Sequence, residues 1–352
     1  MASPSTLTLN YDAILSTTLF NYRKTIEDNV SKTNALLYML KNNEGGYKTT
    51  SDIGDRMQVQ LMYELGQADS YSGYDQLDVT PMDGITSAFW EWRQAAVPIA
   101  ISGLEEKKNS GEAKIISLLE TKTKQAEMGI QEFFNKRLLI GAGGTAITTP
   151  YTSPNNGSIF LDPLALLIKG DPTTSTVVGN INQQTYGWWR NMFQDFAAST
   201  TFAGFLNELR KLRIRTSRGP GGQPDLHLVD ENVYAFYEAA LASKHQNPSY
   251  QKADIPFENV GFYGKPVTYD ELVPNVKTGS EVVDPLSGSW FMINSKFFQV
   301  QVHTDTNFAP TPFVKPENQD AKVAHILWLG GIGVSNRRKH GIGMDIDTTI
   351  AA

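Results

Sequence analysis

The sequence predicts an α+β protein organised on one long helix. Three observations carry this: a helical stripe over residues 110–140, alternating apolar and polar residues on both sides of it, and strands and helices taking turns from about 178 to 290. In the helix, Ile115, Ile116, Leu119, Ala126, Ile130, Phe133, Phe134 and Leu138 share one face. Lys114, Glu120, Lys122, Lys124, Glu127 and Lys136 take most other directions. Ser110 stands as N-cap, and Glu112 faces the positive end of the dipole. Gly141, Gly143 and Gly144 stop the helix after Lys136 and Arg137. About 30 residues make a rod of roughly 45 Å, enough to span a domain. Gly129 costs about 1 kcal/mol against alanine, so packing rather than propensity must hold the middle.

Composition bounds the class. A chain of 352 residues, 40% hydrophobic and 19% charged, can bury cores in two or three domains and is not disordered. A net charge of −6 argues against global attraction to nucleic acid. The absence of cysteine excludes disulfides, thiolate metal sites and cysteine nucleophiles. The N-terminus has no basic-then-apolar leader and no apolar run approaches 18 residues, so a soluble protein made in a cytoplasm is expected.

The other elements follow in order. Residues 1–18 are Ser/Thr-rich and read as an extended arm; 20–40 reads as a helix with Ile26, Val30 and Leu37 in line, broken by Asn42, Asn43, Gly45 and Gly46. In 56–64, Met57, Val59, Leu61 and Tyr63 alternate with Arg56, Gln58, Gln60 and Glu64, which is a strand with one apolar face. Residues 85–101 form a second extended run, with Ala88, Trp90 and Trp92 on one face and Glu91 and Arg93 on the other. Between them lies a polar tip, 66–83, with Tyr71, Gly73 and Tyr74. An isolated hairpin is marginal in water. One with two tryptophans needs a surface beneath it, either its own chain or a neighbouring subunit.

After the long helix, 200–213 is an amphipathic helix with Phe202, Phe205, Leu206, Leu209 and Leu212 inward. Residues 226–229 form a buried strand, and Asp230 caps a helix to about Lys244. Strands follow near 260–262 and 267–269. Residues 290–293, the alternation Phe298, Val300, Val302, the run 324–329 and the closing 341–346 read as sheet.

Chemistry-bearing motifs are absent. His227, His245, His303, His325 and His340 have no partner at metal-ligand spacing. "GAGGT" at 141–145 lacks the Lys-Ser/Thr of a phosphate loop, and "GGIGV" at 330–334 lacks the third glycine of a dinucleotide fingerprint. No catalytic, cofactor-binding or metal residue is assigned. Two basic clusters remain: Arg210, Lys211, Arg213, Arg215 and Arg218, and Arg337, Arg338, Lys339 with His340. Each reads either as a solvated face or as a contact to phosphate or an acidic neighbour.

The order of arm, hairpin, long helix, α/β lobe and closing sheet resembles the major capsid proteins of tailed bacteriophages, the Hong Kong 97-like fold. The wording that carries the resemblance is "NQQTYGWWRN" at 182–191, "LVDENVYAFYEAAL" at 228–241, "GFYGKPVTYDELVP" at 261–274 and the stretch from "SWFMINSKFF" to "SNRRKHG" at 289–341. The resemblance implies an N-terminal arm (1–46), an E-loop (47–103) lying over an adjacent subunit, and a P-domain (104–177) with the spine helix 110–140. It further implies an axial A-domain (178–290) and return strands of the P-domain (291–352). Tyr63, Trp90 and Trp92 become candidate inter-subunit anchors. Arg337, Arg338 and Lys339 become a candidate lumen patch for phosphate or an ion pair. The implied partners are other copies in pentamers and hexamers of an icosahedral shell, a separate scaffolding protein, a portal, a decoration protein as a further candidate, and packaged double-stranded DNA in weak, non-specific contact. No membrane is implied. The chain would reside in the virion after assembly in a bacterial host's cytoplasm. No acidic or coiled-coil extension precedes residue 19, which favours separate scaffolding; residues 52–105 hold no lysine, so the family's lysine weld is not expected. An encapsulin-like compartment, a cytoplasmic α/β enzyme and another virion protein are the alternatives.

Overall fold

A computed structural model describes residues 34–42, 46–52, 54–64, 68, 70–76, 83–108, 112–139, 161–244, 260–273 and 287–350. The strands, in chain order, are β1 (Tyr47–Thr50), β2 (Met57–Met62), β3 (Ile85–Trp90), β4 (Arg93–Ser102), β5 (Val177–Val178), β6 (Ile181–Asn182) and β7 (Met192–Asp195). They continue with β8 (Leu226–Val229), β9 (Val260–Phe262), β10 (Lys265–Tyr269), β11 (Ser287–Ile293), β12 (Phe298–His303), β13 (Ala309–Pro310), β14 (Ala321–Val334) and β15 (Gly341–Asp347).

The long helix is present as Glu112–Leu139, and Ala126, Ile130, Phe134 and Leu138 are buried along its inner stripe. Ser110 and the glycines expected to stop it lie outside the described residues, as do the arm and most of the first helix, of which Ala35–Asn42 is described. The helix lies on a five-stranded sheet: Phe134 meets Trp328 of β14 edge-on at 4.8 Å and Phe308 at 5.5 Å. In that sheet β14 is the organising strand. It pairs with β4 over Ala321–Gly330, with β12 over Gly330–Val334, and with β13 at Ile326 and Leu327. Gly330 is opposite both Arg93 and Val302, so β4 and β12 occupy opposite edges of β14. β1 closes the sheet beside β12, in parallel.

The hairpin exists but is shorter than expected. β2 pairs with β3 from Met57↔Trp90 to Met62↔Ile85. The chain then breaks at Glu91 and Trp92, and β4 leaves the ribbon to run the length of β14. The apolar face of the ribbon rests on its own polypeptide. Trp90 is only 3% exposed and lies against Gly333 of β14 and Gly179 of the 177–182 hairpin. A Cβ at Gly333 would come within 2.5 Å of Met57 Cε and 2.9 Å of Trp90 Cε3. "GGIGV" is thus a close-packing device for an indole, which is why it has no phosphate-binding geometry. The expectation that Trp90 anchors a neighbouring subunit is corrected: its seat is intramolecular, because two glycines open a slot of the right depth.

The second core belongs to an α/β lobe. A six-stranded sheet runs β7-β15-β11-β8-β10-β9. Helix Phe202–Ser217, capped by Thr201 Oγ1 accepting from Gly204 N–H, places Phe202, Phe205, Leu209 and Leu212 inward. Helix Glu231–Lys244 starts at Asp230, whose Oδ2 accepts from Asn232 N–H. Residues 291–352, expected as return strands beside the long helix, are divided between the sheets: the end of β11 and all of β15 join this one, and β12, β13 and β14 the five-stranded one. The reason is visible in β11, where Trp290, Phe291, Met292 and Ile293 are all buried. A strand apolar on both faces belongs in the middle of a covered sheet. Phe291 and Ile293 face the first core, Trp290 and Met292 the second.

Gly333→Ala should destabilise the chain by about 1–3 kcal/mol through overpacking against Trp90. Gly129→Ala, at an exposed helical position with no atom near its added Cβ, should stabilise by about 1 kcal/mol. Thermal melts of the two variants test both. Equal melting temperatures would show that the indole slot yields.

Candidate functional site

The corner between β14 and β15 gathers the residues that the sequence singled out. After Val334 the chain turns through Ser335 and Asn336 into a 3-10 turn, Arg337–Lys339, and Asn336 Oδ1 accepts from Arg338 N–H at 3.2 Å. This turn sends the Arg337 side chain into the interior. Its Nε donates to Leu167 O at 3.0 Å, Nη1 to Gln183 Oε1 at 3.0 Å and Trp189 O at 3.1 Å, and Nη2 to Asn191 Oδ1 at 3.1 Å. Asn191 is itself held, since its Nδ2 donates to Lys169 O at 2.7 Å and its Oδ1 accepts from Lys169 N–H at 3.1 Å. Trp189 Nε1 donates to Val178 O at 2.9 Å. "NQQTYGWWRN" is therefore the receptor for the first arginine of "NRRKHG". Burial pushes the Arg337 guanidinium down to about 9 from 12.5, still charged at neutral pH.

The expected basic patch is corrected accordingly. Arg337 is buried, and Lys339 is buried too, its Nζ donating to Arg218 O at 2.9 Å and Gly219 O at 3.0 Å. Only Arg338 stays exposed, and its guanidinium has no partner among the described residues. A cluster of cations after a strand suggested a surface, but desolvation is tolerated wherever enough acceptors converge. The signal for those acceptors was available: Gln183 and Asn191, both buried, flank a Trp-Trp pair. In the other basic cluster, Lys211 pairs with Glu208 at 2.7 Å, Arg213 lies 4.0 Å over the Tyr263 ring, and Arg215 donates to Gln194 at 2.8 Å.

Of the three candidate aromatic anchors, Trp90 is interior. Trp92 is half-buried and donates Nε1 to Gly54 O at 3.0 Å. Tyr63 is 37% exposed, stacks on Trp188 at 5.1 Å and donates its hydroxyl to Asp83 O. Below that stack lies a cleft of about 390 Å³, walled by Gln60, Met62, Tyr63, Trp188, Phe297 and Arg338 among others. None of its wall residues is a carboxylate or an imidazole. Among the described residues, no group of three or more His, Asp or Glu is placed to hold a metal ion, and no helix is long and apolar enough to cross a membrane. His227 and His340 are buried as packing elements: His227 Nδ1 accepts from Trp290 Nε1 at 3.2 Å and His340 Nδ1 from Asn294 N–H at 3.3 Å.

No protein-family model matches the chain, and no curated protein does. Solved structures do. The capsid asymmetric unit of cyanophage A-1(L) is similar at 14% identity over 88% of this chain and 92% of that one, with a TM-score of 0.59. The holo-SrpI encapsulin complex of Synechococcus elongatus PCC 7942 is similar at 10% identity over 89% of this chain and 88% of that one, with a TM-score of 0.51. Likeness at such identities is likeness of fold, and the chain has the Hong Kong 97-like fold.

Arg337→Ala should strand the buried acceptors Leu167 O, Gln183 Oε1 and Trp189 O, leave Asn191 Oδ1 with Lys169 N–H alone, and destabilise by about 3–5 kcal/mol, whereas Arg338→Ala should change stability by less than about 0.5 kcal/mol. Urea unfolding of both decides whether the turn is structural. A second test uses pH. Burial, with the Arg337 charge adding to it, holds His340 down to about 3 against 6.5. The unfolded chain takes up a proton between those values and the native chain does not, so His340 makes stability fall as pH drops from about 6.5 towards 3. His340→Asn keeps an acceptor for Asn294 N–H and removes the titration. Relative to the unmodified chain it should gain about 1.4 kcal/mol per pH unit across that window. A stability difference that stays constant with pH would show the imidazole charging within the fold.

Proposed function

We propose that this chain is the major capsid protein of a tailed phage, a non-catalytic subunit that assembles into the icosahedral head shell around double-stranded DNA. The observation that carries the reading is the likeness of fold to a cyanophage capsid chain, which extends over most of both chains rather than over one lobe. In this reading 47–103 is the E-loop, 104–177 with strands β12–β14 the P-domain, and the six-stranded lobe the A-domain whose tips meet around five-fold and pseudo-six-fold axes. Many modest contacts act in parallel, each strengthened because its neighbours already hold the subunit in place. Head-to-tail contacts of one kind close into rings where the rotation fits.

The ribbon supplies the outward contact by its end, not by its tryptophan. Met62 and Ile85 form a cross-strand pair at the last register position, and both are at least 70% exposed. Tyr71 and Tyr74 are more than two-thirds exposed just beyond. Large apolar side chains left in water at the end of a seated hairpin support a contact with another subunit. Tyr63 adjoins that contact, whereas Trp92 stands at the other end of the ribbon beside Gly54. Scaffolding protein, portal and decoration protein are the expected further partners, and the virion is the expected location. DNA contact is weak, since of the 337–339 cluster only Arg338 faces solvent.

The likeness to an encapsulin supports a second reading, a shell enclosing an enzyme, with the lower of the two superposition scores. Expression with and without the neighbouring genes, followed by negative-stain microscopy, tests both. Closed shells are expected, and packaged DNA rather than protein cargo in native particles selects the capsid. A chain that stays monomeric under every condition would overturn the proposal. Met62→Ser with Ile85→Ser should lower particle yield several-fold while leaving the subunit's melting temperature unchanged.

A further inference from the structure

The cleft beside Tyr63 and Trp188 has the features of a small-ligand site. Its volume of about 390 Å³ lies within the range of such sites. Four separate stretches of chain wall it: β2 with Tyr63 at its end, the 3-10 turn at Trp188, Phe297 before β12, and the residues just after β14. The rings of the wall are fixed from outside the cleft. Tyr63 donates its hydroxyl to Asp83 O and stacks on Trp188 with the two planes 17° apart. Trp188 in turn meets Trp189 edge-on at 5.7 Å, and the Phe297 ring lies against Gly221. A flat aromatic wall is therefore in place before anything enters.

The turn after β14 selects the charge that faces this wall. Arg337 and Lys339 are buried on interior acceptors, and Arg338 between them is left exposed at the cleft. Its backbone N–H is held by Asn336 Oδ1, while its guanidinium has no partner among the described residues. The wall residues include one cation and no anion. Two neutral donors are free as well: among the described residues, neither the Gln60 side-chain amide nor Asn336 Nδ2 has a hydrogen-bond partner. The site thus combines stacked rings, unspent amides and a single guanidinium.

We propose that this cleft binds one unpaired nucleotide, with its base against the Tyr63, Trp188 and Phe297 rings and its phosphate on Arg338. Stacking of bases on aromatic side chains is tolerant of sequence, and the guanidinium fork matches two phosphate oxygens. Gln60 and Asn336 offer amides to the donor–acceptor edge of the base. An aromatic peptide end also brings a ring and an anion, but its ring leaves those amides unpaired. Duplex DNA keeps its bases inside the stack, so the ligand differs from a packaged double-stranded genome. A free nucleotide and an unpaired stretch of strand share the required chemistry. The site stands apart from the shell reading, since neither the rings nor Arg338 is needed there for assembly.

Calorimetric titration of the full chain with thymidine monophosphate and with an eight-base oligothymidine tests this. Saturable binding of both is expected, and thymidine, which lacks the phosphate, should bind at least tenfold more weakly. Arg338→Ala should weaken both ligands at least tenfold at an unchanged melting temperature, and Trp188→Leu should do so where it folds. The affinity for oligothymidine should fall with salt at a log–log slope of about −0.7, as for one phosphate contact. An oligonucleotide affinity beyond what its number of bases explains makes the source a strand; otherwise the source is a free nucleotide, and either upholds the site. No binding, or binding indifferent to Arg338→Ala, overturns it. So does equal binding of a duplex of the same charge, which would mark a phosphate contact alone, or of N-acetylphenylalanine, which would mark a peptide-end site. Arg338→Ala chains should still form shells, so loss of nucleotide binding and loss of the capsid reading are told apart in one variant.

Discussion

A guanidinium whose hydrogen-bond partners are all neutral lies at the centre of this molecule. Arg337 is removed from water, and its acceptors are two backbone carbonyls and two side-chain amides. A charge in that position is tolerable only while all four are aimed at it. It therefore dictates where Leu167, Gln183, Trp189 and Asn191 stand. These belong to three separate pieces of chain: the short helix Leu164–Leu167, the loop after β6, and the approach to β7. Arg337 lies between β14, in the five-stranded sheet, and β15, in the six-stranded one. The relation between the two sheets is thus settled by a polar network that cannot be partly satisfied without large cost.

The ribbon inherits its position from the same network. The Arg337 guanidinium lies 5.9 Å from the Trp189 ring, Trp189 lies 6.4 Å from Trp90, and Trp90 fills the slot over Gly333. The neighbouring Trp188 carries Tyr63. Each link is a packing contact between large, stiff rings, so the base of the hairpin is as constrained as the core. The paired part of the ribbon closes at Tyr63 and Gly84, where Tyr63 N–H donates to Gly84 O at 3.0 Å.

Much of this was legible in the residues, and the limits are instructive. The long helix, the β2 alternation, the Asp230 cap and the helix over 202–217 are local patterns, set by spacing within one segment, and local spacing is what a sequence displays. The seat of Trp90 depends on Gly333 and Gly179, far away in the chain; alternation alone says that a strand has an apolar face, not what covers it. Arg337 was misplaced for the same reason, because its acceptors lie some 150 residues upstream. The division of residues 290–293 between two cores also escaped a reading by segment, since an unbroken apolar run reports burial on both faces without naming either neighbour.

On the proposed shell reading, these constraints bear on how one sequence would serve subunits in different surroundings. A subunit that must fit slightly different surroundings needs a part that does not deform and a part that does. Here the division falls within a single hairpin. Its base is locked through Trp90 to the buried arginine, so any angular adjustment at the base would disturb four hydrogen bonds and an indole slot together. Its end holds exposed Met62, Ile85, Tyr71 and Tyr74 on a segment without a positive charge. On that reading, adjustment between subunits would be taken up at the exposed end of the ribbon rather than at its base.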